Sequence, residues 1–306
     1  RHTRCLSDWS SDVCSSDLRT FLWAAVWPEQ FNVATQVENV TNSITKWILA
    51  NLEIFTEGFK NLISYGVLNP LESLLSGSPW YVTVGFVVTL AFLVAGFRIA
   101  LLSLSLSLLI VLSGLWYESM LTLTQTIVGT LLTMLVGMAL GIWTGRNDRV
   151  EKFLRPFLDA GQTLPAFVYL VPMLGLFGPT RFTAIATGIV YSIPIVVKIV
   201  CEGIRSVPYS LVEAAMAAGS TTKQIITKVQ LPAAKRTILL AVNQGLIYVL
   251  AVVVIGGFVG SGGLGYLVIV GNSKPELQGK GLLAGACILL LGVIFDRIMQ
   301  ASAKRS

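Results

Sequence analysis

The chain is 306 residues long, 54% apolar and only 12% charged, with a mean hydropathy of +0.74. A soluble globular domain carries about 25% charged residues, so this composition excludes an ordinary cytosolic domain and excludes intrinsic disorder over most of the chain. The net charge is +6, and residues 81–306 alone hold 17 basic and 8 acidic groups. In a membrane chain such an excess marks inward-facing loops rather than a nucleic-acid surface.

Residues 1–18 read RHTRCLSDWSSDVCSSDL, with Ser-Asp recurring at Ser7-Asp8, Ser11-Asp12 and Ser16-Asp17. The stretch has no initiator Met, and because no apolar core follows the arginines it does not read as a signal peptide. The stretch resembles a translated sequencing adapter joined to a truncated reading frame. Residues 1–20, with Cys5 and Cys14, are expected to be non-native, disordered and without function. Cys201 and Cys287 lie in or beside apolar runs and read as small hydrophobes. The only histidine is His2, which removes His-based metal sites and catalytic triads. No metal site, cofactor site or catalytic residue is therefore expected on this chain.

Residues 21–79 form an amphipathic region. Ile44, Trp47, Ile48, Phe55, Phe59, Leu62 and Ile63 recur at helical spacing over 43–65. Asn42 or Ser43 is the candidate cap and Asn69-Pro70 the candidate stop. Two readings stay open: a helix packed on its own protein, or one lying in a membrane interface.

From Trp80 the chain becomes a series of apolar runs: 81–97, 99–116, 120–143, 164–178, 182–200, 237–259 and 281–297. A spanning helix needs about 20 residues. The pattern predicts an all-α polytopic membrane fold of about seven spans over 80–300, with a tail at 301–306. Only Arg98 separates the first two runs, which predicts a tight hairpin there. Placing the loop after the third run inside puts fourteen basic residues on the inner side, including Arg146, Arg149, Lys152, Arg155, Arg205, Lys223 and Lys228. The outer side keeps Arg181, Lys274 and Lys280. This orientation leaves the N-terminal segment outside and the C-terminus in the cytoplasm.

The longest hydrophilic stretch in this region is 201–236. Pro208 suits a first helical turn, and Ser210 with Glu213 has capping-box spacing. Gly219 is a left-handed stop. Ser220 or Thr221 caps a second helix carrying Ile225, Ile226 and Val229, which Pro232 closes. A helix this rich in alanine lets another surface approach its backbone. The plainer reading is an ordinary loop helix.

Here the residues resemble a known family. Permease subunits of ABC importers carry the cytoplasmic signature E-A-A, three residues, G, nine residues, I-x-L-P. This chain has Glu213-Ala214-Ala215, Gly219, then Val229-Gln230-Leu231-Pro232. Every spacing matches, with Val229 for Ile as the one departure. The resemblance implies a type I importer permease whose short helix docks on a separate nucleotide-binding ATPase subunit, where ATP and Mg are bound. It also implies an extracytoplasmic substrate-binding protein as partner, a permease homodimer, and a prokaryotic cytoplasmic membrane as location.

The run Gln162-Thr163-Leu164-Pro165-Ala166-Phe167-Val168-Tyr169-Leu170-Val171-Pro172 resembles permeases of glycine betaine/proline betaine importers. So do Gly141-Ile142-Trp143, Val242-Asn243-Gln244 and Gly262-Gly263-Leu264-Gly265. The resemblance covers about residues 80–300 and implies quaternary ammonium osmoprotectants as substrates. Pro165 and Pro172 disrupt the local helix ladder, and irregular membrane backbone is tolerated where it is buried or lines a cavity. Gln162, Thr163, Pro165, Tyr169, Pro172, Asn243 and Gln244 are therefore candidate path residues, Tyr169 offering a π-face to a cation. The alternative for Asn243 and Gln244 is that these amides only tie helices together.

Gly260, Gly262 and Gly265 match G-x-G-x-x-G, but no strand precedes them, so they read as an outer loop with close helix packing rather than a dinucleotide site. No phosphate-binding P-loop exists in the sequence. Glu118, Asp159, Arg181 and Asp296 fall at predicted helix ends. An ion-coupled secondary transporter or channel is the competing class, and it normally needs a carboxylate or His near the centre of a span. A membrane enzyme would need an assembled acid, base or nucleophile set, which is absent from the sequence.

Overall fold

The computed structural model describes residues 33–305, and among these every regular element is helical. The expectations for residues 1–20, Cys5 and Cys14 lie outside the described residues. The chain divides into two compact units, Arg1–Asn51 and Leu52–Ser306, each taken on its own. Described residues of the first unit belong to helix α1 (Val33–Ile63), which starts ten residues before the expected cap at Ser43. Asn51 Nδ2 donates to the Trp47 carbonyl at 2.8 Å along it.

In the second unit Asn69-Pro70 does not stop the chain. A π-helical turn, Ser64–Leu68, carries α1 directly into α2 (Asn69–Gly77). Pro70 sits in the first turn of α2, where the missing N–H costs nothing. Phe59 meets Phe182 edge to face at 5.8 Å, and Ile63 and Leu68 are buried in the same cluster. This end of the amphipathic segment therefore packs on its own protein.

Helices α3 (Trp80–Ala95) and α4 (Phe97–Leu112) form the expected hairpin, but it turns at Gly96, whose φ is +91°, and not at Arg98. Arg98 already lies in α4. The third run becomes α5 (Trp116–Arg146). Then come α6 (Asp148–Thr163) and α7 (Ala166–Phe177), bent by 100° at Leu164-Pro165. The fourth expected span is thus a helix of 12 residues, about 18 Å long, joined to a polar arm that the sequence reading left as loop. Next are α8 (Arg181–Arg205) and α9 (Tyr209–Ala217). A composite follows: α10 (Thr222–Gln224), a π-helix at Ile225–Gln230, and α11 (Leu231–Ala233). The last three are α12 (Lys235–Ile255), α13 (Gly263–Ser273) and α14 (Gln278–Arg305). Helix α13 was not expected, and α14 continues through 301–305.

Among the described residues, four helices are long and apolar enough to cross a membrane: Trp116–Arg146, Arg181–Arg205, Lys235–Val259 and Pro275–Ala303. Two bent pairs, Ile54–Gly77 with Trp80–Ala95 and α6 with α7, raise this to six if each is one span, while α4 and α13 are shorter apolar helices.

The core is α5, α8 and α12. In α5, Gly137, Gly141 and Gly145 fall on one face, where α8 seats Val196, Val200 and Ile204. Both rows step by four residues, so small residues let the backbones close without the aid of a hydrophobic drive. Ser119, Thr124, Thr126 and Thr144 turn their hydroxyls back onto carbonyls four residues earlier, at 2.7–2.9 Å. This satisfies them internally. Thr122 Oγ1 accepts from the Leu264 amide at 2.9 Å, and Gln125 Nε2 donates to the Ser261 carbonyl at 2.9 Å. These bonds fix the glycine loop before α13, whose Gly265 lies against the Val254 backbone. Cys201 and Cys287 are free and buried.

Candidate functional site

The 201–236 stretch leaves α8 at Ser206 and re-enters the core at Val207, which is buried with Val200, Ile204 and Ala234. Pro208 then starts α9. Its N-cap makes no side-chain bond, so the Ser210/Glu213 capping box is not formed. With Tyr209 already helical, Ser210 lies inside the first turn, past the position from which a cap reaches the third amide. The helix does end at Gly219, with φ +76°. The Ser220 amide bonds the Ala215 carbonyl at 3.0 Å and the Gly219 amide bonds that of Met216 at 2.9 Å, which is a Schellman stop. Thr221 and Gln224 form the reciprocal capping box. Pro232 does not close the second helix; α11 runs to Ala233 and the break falls at Ala234.

These two halves pack on one another, α9 against the Ile225–Gln230 turn. Val212 and Leu231 lean on one buried cluster. Thus Glu213, Ala214, Ala215 and Gly219 on α9, and Val229, Leu231 and Pro232 after it, belong to one small unit. Glu213, Ala214, Gly219 and Pro232 are exposed, while Ala215, Val229 and Leu231 are half-buried. Tyr209, Leu211 and Met216 are 66%, 48% and 47% exposed. An apolar face this open on a polar loop is the kind of surface that a partner covers.

Two arginines that the sequence reading assigned only to charge bias make bonds around this stretch: Arg146 holds the unit itself, and Arg205 ties the end of α8 to the α5–α6 junction. Arg146, at the end of α5, donates to Gln230 Oε1, and Gln230 is buried within the loop signature. Arg205 reaches Asp148 Oδ1 at 2.6 Å and the Thr144 carbonyl at 3.3 Å. The signal for Gln230 was a lone amide inside an apolar run.

The candidate path residues separate into two groups. At the α6–α7 bend, Tyr169 donates from its hydroxyl to the Gly161 carbonyl at 2.6 Å, and Thr163 Oγ1 donates to the Ala160 carbonyl at 2.9 Å. Gln162 Oε1 accepts from Lys198 Nζ at 2.6 Å, and the same ammonium pairs with Asp159 at 2.5 Å. Pro165 opens α7 and Pro172 lies inside it. Asn243 is elsewhere: it is 4% exposed, and its Nδ2 donates to Asp296 Oδ1 at 3.0 Å, tying α12 to α14. Asp296 therefore sits within α14 and not at a helix end, and Asp159 lies within α6. Glu118 is in the first turn of α5, and Arg181 starts α8 and pairs with Glu72. Gln244 shares a face of α12 with Tyr248, one turn on.

Tyr191 and Tyr248 were not singled out in the sequence. Their rings join Tyr169 in a row, with centroids 5.8 Å apart at each step.

Comparison with known proteins agrees with this architecture. The chain is 34% identical over 260 residues to the glycine betaine/proline betaine transport system permease protein ProW of Escherichia coli (strain K12), covering 85% of this chain and 73% of that one. It is 37% identical over 191 residues to the glycine betaine/carnitine transport permease protein GbuB of Listeria monocytogenes serotype 1/2a (strain 10403S), covering 62% and 67%. Among solved structures, a chain of the MetNI methionine ABC transporter in an inward-facing conformation shares the fold. Its TM-score is 0.52 at 24% identity, over 62% of this chain and 93% of that one. Residues 134–306 match the family described as binding-protein-dependent transport system inner membrane component. The matched segment contains the α5 glycine row, the bent α6–α7 pair and the whole α9–α11 unit, and the chain belongs to that family of multi-pass transport permeases.

Proposed function

We propose that this chain is one of two identical membrane halves of an ATP-driven importer for glycine betaine, proline betaine or a related quaternary ammonium compound. A separate ATPase subunit, holding ATP and Mg, docks on the exposed face of α9 and on the Thr221–Pro232 segment. An extracytoplasmic binding protein delivers the substrate. The chain lies in a prokaryotic cytoplasmic membrane, with the N-terminal segment outside and the C-terminus inside, in accord with the distribution of basic residues.

The observation that carries this reading is the α9 unit. Its base is buried in the core of α5, α8 and α12, while its Glu213–Gly219 face is open. A push on α9 is thereby transmitted to the spanning helices through packed side chains. The substrate class comes from the relatives, whose names specify glycine betaine with proline betaine or carnitine.

The test is radiolabelled betaine uptake into vesicles containing this chain, its ATPase and its binding protein, with choline and proline as competitors. Uptake should require all three components and ATP. Uptake driven by an ion gradient without the ATPase would replace this reading with an ion-coupled transporter.

A further inference from the structure

Three helices each contribute one tyrosine to a continuous row: Tyr169 from α7, Tyr191 from α8 and Tyr248 from α12. The Tyr169–Tyr191 rings are inclined at 63° and the Tyr191–Tyr248 rings at 45°. All three are half-buried, so each keeps part of its surface open. The hydroxyl of Tyr169 is already committed to the Gly161 carbonyl, which fixes the ring and leaves its face as the group on offer.

The same helices repeat a short pattern. Tyr169-Leu170-Val171-Pro172 lies in α7 and Tyr191-Ser192-Ile193-Pro194 in α8, with both prolines inside their helices. Proline has no N–H for the carbonyl four residues before it. The carbonyls of Val168 and Val190 therefore lose their usual helix donor, and each stands one residue before a tyrosine of the row. Backbone acceptors freed at membrane depth are tolerated where they face a cavity or path. The stretches Ala166–Phe177, 182–197 and 237–255 contain no Asp or Glu, Gln244, one turn before Tyr248, is neutral, and the two charges at the α6–α7 bend, Asp159 and Lys198, pair with each other at 2.5 Å.

We infer that Tyr169, Tyr191 and Tyr248, with the carbonyls of Val168 and Val190, form a cation-binding stage of the membrane path that takes a quaternary ammonium group. This rests on the substrate class proposed above. A quaternary ammonium has no N–H and makes no hydrogen bond, so it is recognised by π-faces and carbonyl dipoles. With the Asp159 carboxylate engaged by Lys198, the contact is weak, which suits a group that must pass on rather than stay.

The experiment uses the complete transporter in proteoliposomes with saturating binding protein and ATP. Tyr191→Phe retains betaine uptake within about twofold, because the π-face remains. Tyr191→Leu lowers maximal uptake about tenfold. Phenylalanine analogues with one, two and three ring fluorines at position 191 lower it stepwise, since fluorine withdraws the charge that attracts the cation while keeping the ring shape. The same series at position 248 follows the same order. Co-purification of the ATPase confirms that each variant has assembled. Equal uptake by the unfluorinated and trifluorinated rings at both positions overturns the inference and leaves the substrate reading standing. No betaine uptake by the unaltered transporter overturns the substrate reading, and the inference with it.

Discussion

Gly141 of α5 faces Val200 of α8 so closely that a methyl on its α-carbon would lie 2.6 Å from Val200 Cβ. Gly137 and Gly145 meet Val196 and Ile204 in the same way, one turn to either side. Gly141→Ala must therefore separate the two helices, at a cost of about 1–3 kcal/mol for overpacking. Gly141→Leu should prevent assembly. Gly85→Ala in α3, where nothing lies within 4 Å, is the control and should leave the protein as stable or slightly more so. Thermal unfolding in detergent, followed by loss of the monodisperse species, separates the three. Equal melting of Gly141→Ala and Gly85→Ala would show that α5 and α8 do not rely on this close approach.

The Asn243–Asp296 bond joins α12 to α14 at 3.0 Å, and Gln300 Nε2 donates to the same carboxylate at 2.8 and 2.7 Å. Because Gln300 keeps the carboxylate partly satisfied, Asn243→Ala should cost only about 1 kcal/mol, within the range for interhelical polar bonds in membranes. The expected result is a lower melting temperature with unchanged competition between betaine, choline and proline. A changed order of competitors at unchanged stability would return Asn243 to the substrate path.

The apolar runs that became α5, α8 and α12 were legible because each comes close to or exceeds the roughly 20 residues that a span needs. The end of α9 was legible because Gly219 is the residue type suited to its φ of +76°. Two helices escaped notice for opposite reasons. In α6, Val150, Leu154 and Leu158 follow helical spacing, but three basic residues (Arg149, Lys152 and Arg155) and Pro156 made the stretch read as loop. In α13, three glycines at its start masked an apolar segment whose helix is held chiefly by α14, with α5 on its other side. The tyrosine row depends on which helices become neighbours, and no local pattern states that. The repeated Tyr-x-x-Pro is the one trace it leaves in the sequence.

Gly257 and Gly265 make a tighter contact than the α5–α8 row. A methyl on Gly265 would lie 2.3 Å from the Val254 carbonyl oxygen, and one on Gly257 would lie 2.5 Å from the Gly265 carbonyl carbon. Here the obstacle is backbone, which has no rotamer to change. Gly265→Ala should therefore destabilise at or above the top of the roughly 1–3 kcal/mol overpacking range, and more than Gly141→Ala, whose nearest obstacle, Val200 Cβ, stands farther off at 2.6 Å. The measurement is the same unfolding curve. A smaller effect at Gly265 than at Gly141 would mean that the loop before α13 shifts as a unit to relieve the contact.

Gly219 presents the reverse situation. Nothing lies within 4 Å of a methyl placed on it, so a substitution there meets only the backbone penalty of a left-handed residue, about 1–2 kcal/mol. That penalty is borne by the Schellman stop of α9 and not by the core. Gly219→Val should leave membrane insertion and the unfolding curve nearly unchanged, but tilt or fray the end of α9 and uncouple betaine uptake from ATP hydrolysis. Gly219→Asn, which tolerates the same φ, should retain more uptake than Gly219→Val. Parallel assays of uptake and ATP hydrolysis in vesicles distinguish the outcomes. Normal uptake by Gly219→Val would remove α9 from the coupling role. Equal loss in both variants would show that the docking partner needs a bare backbone at this position and not merely its turn.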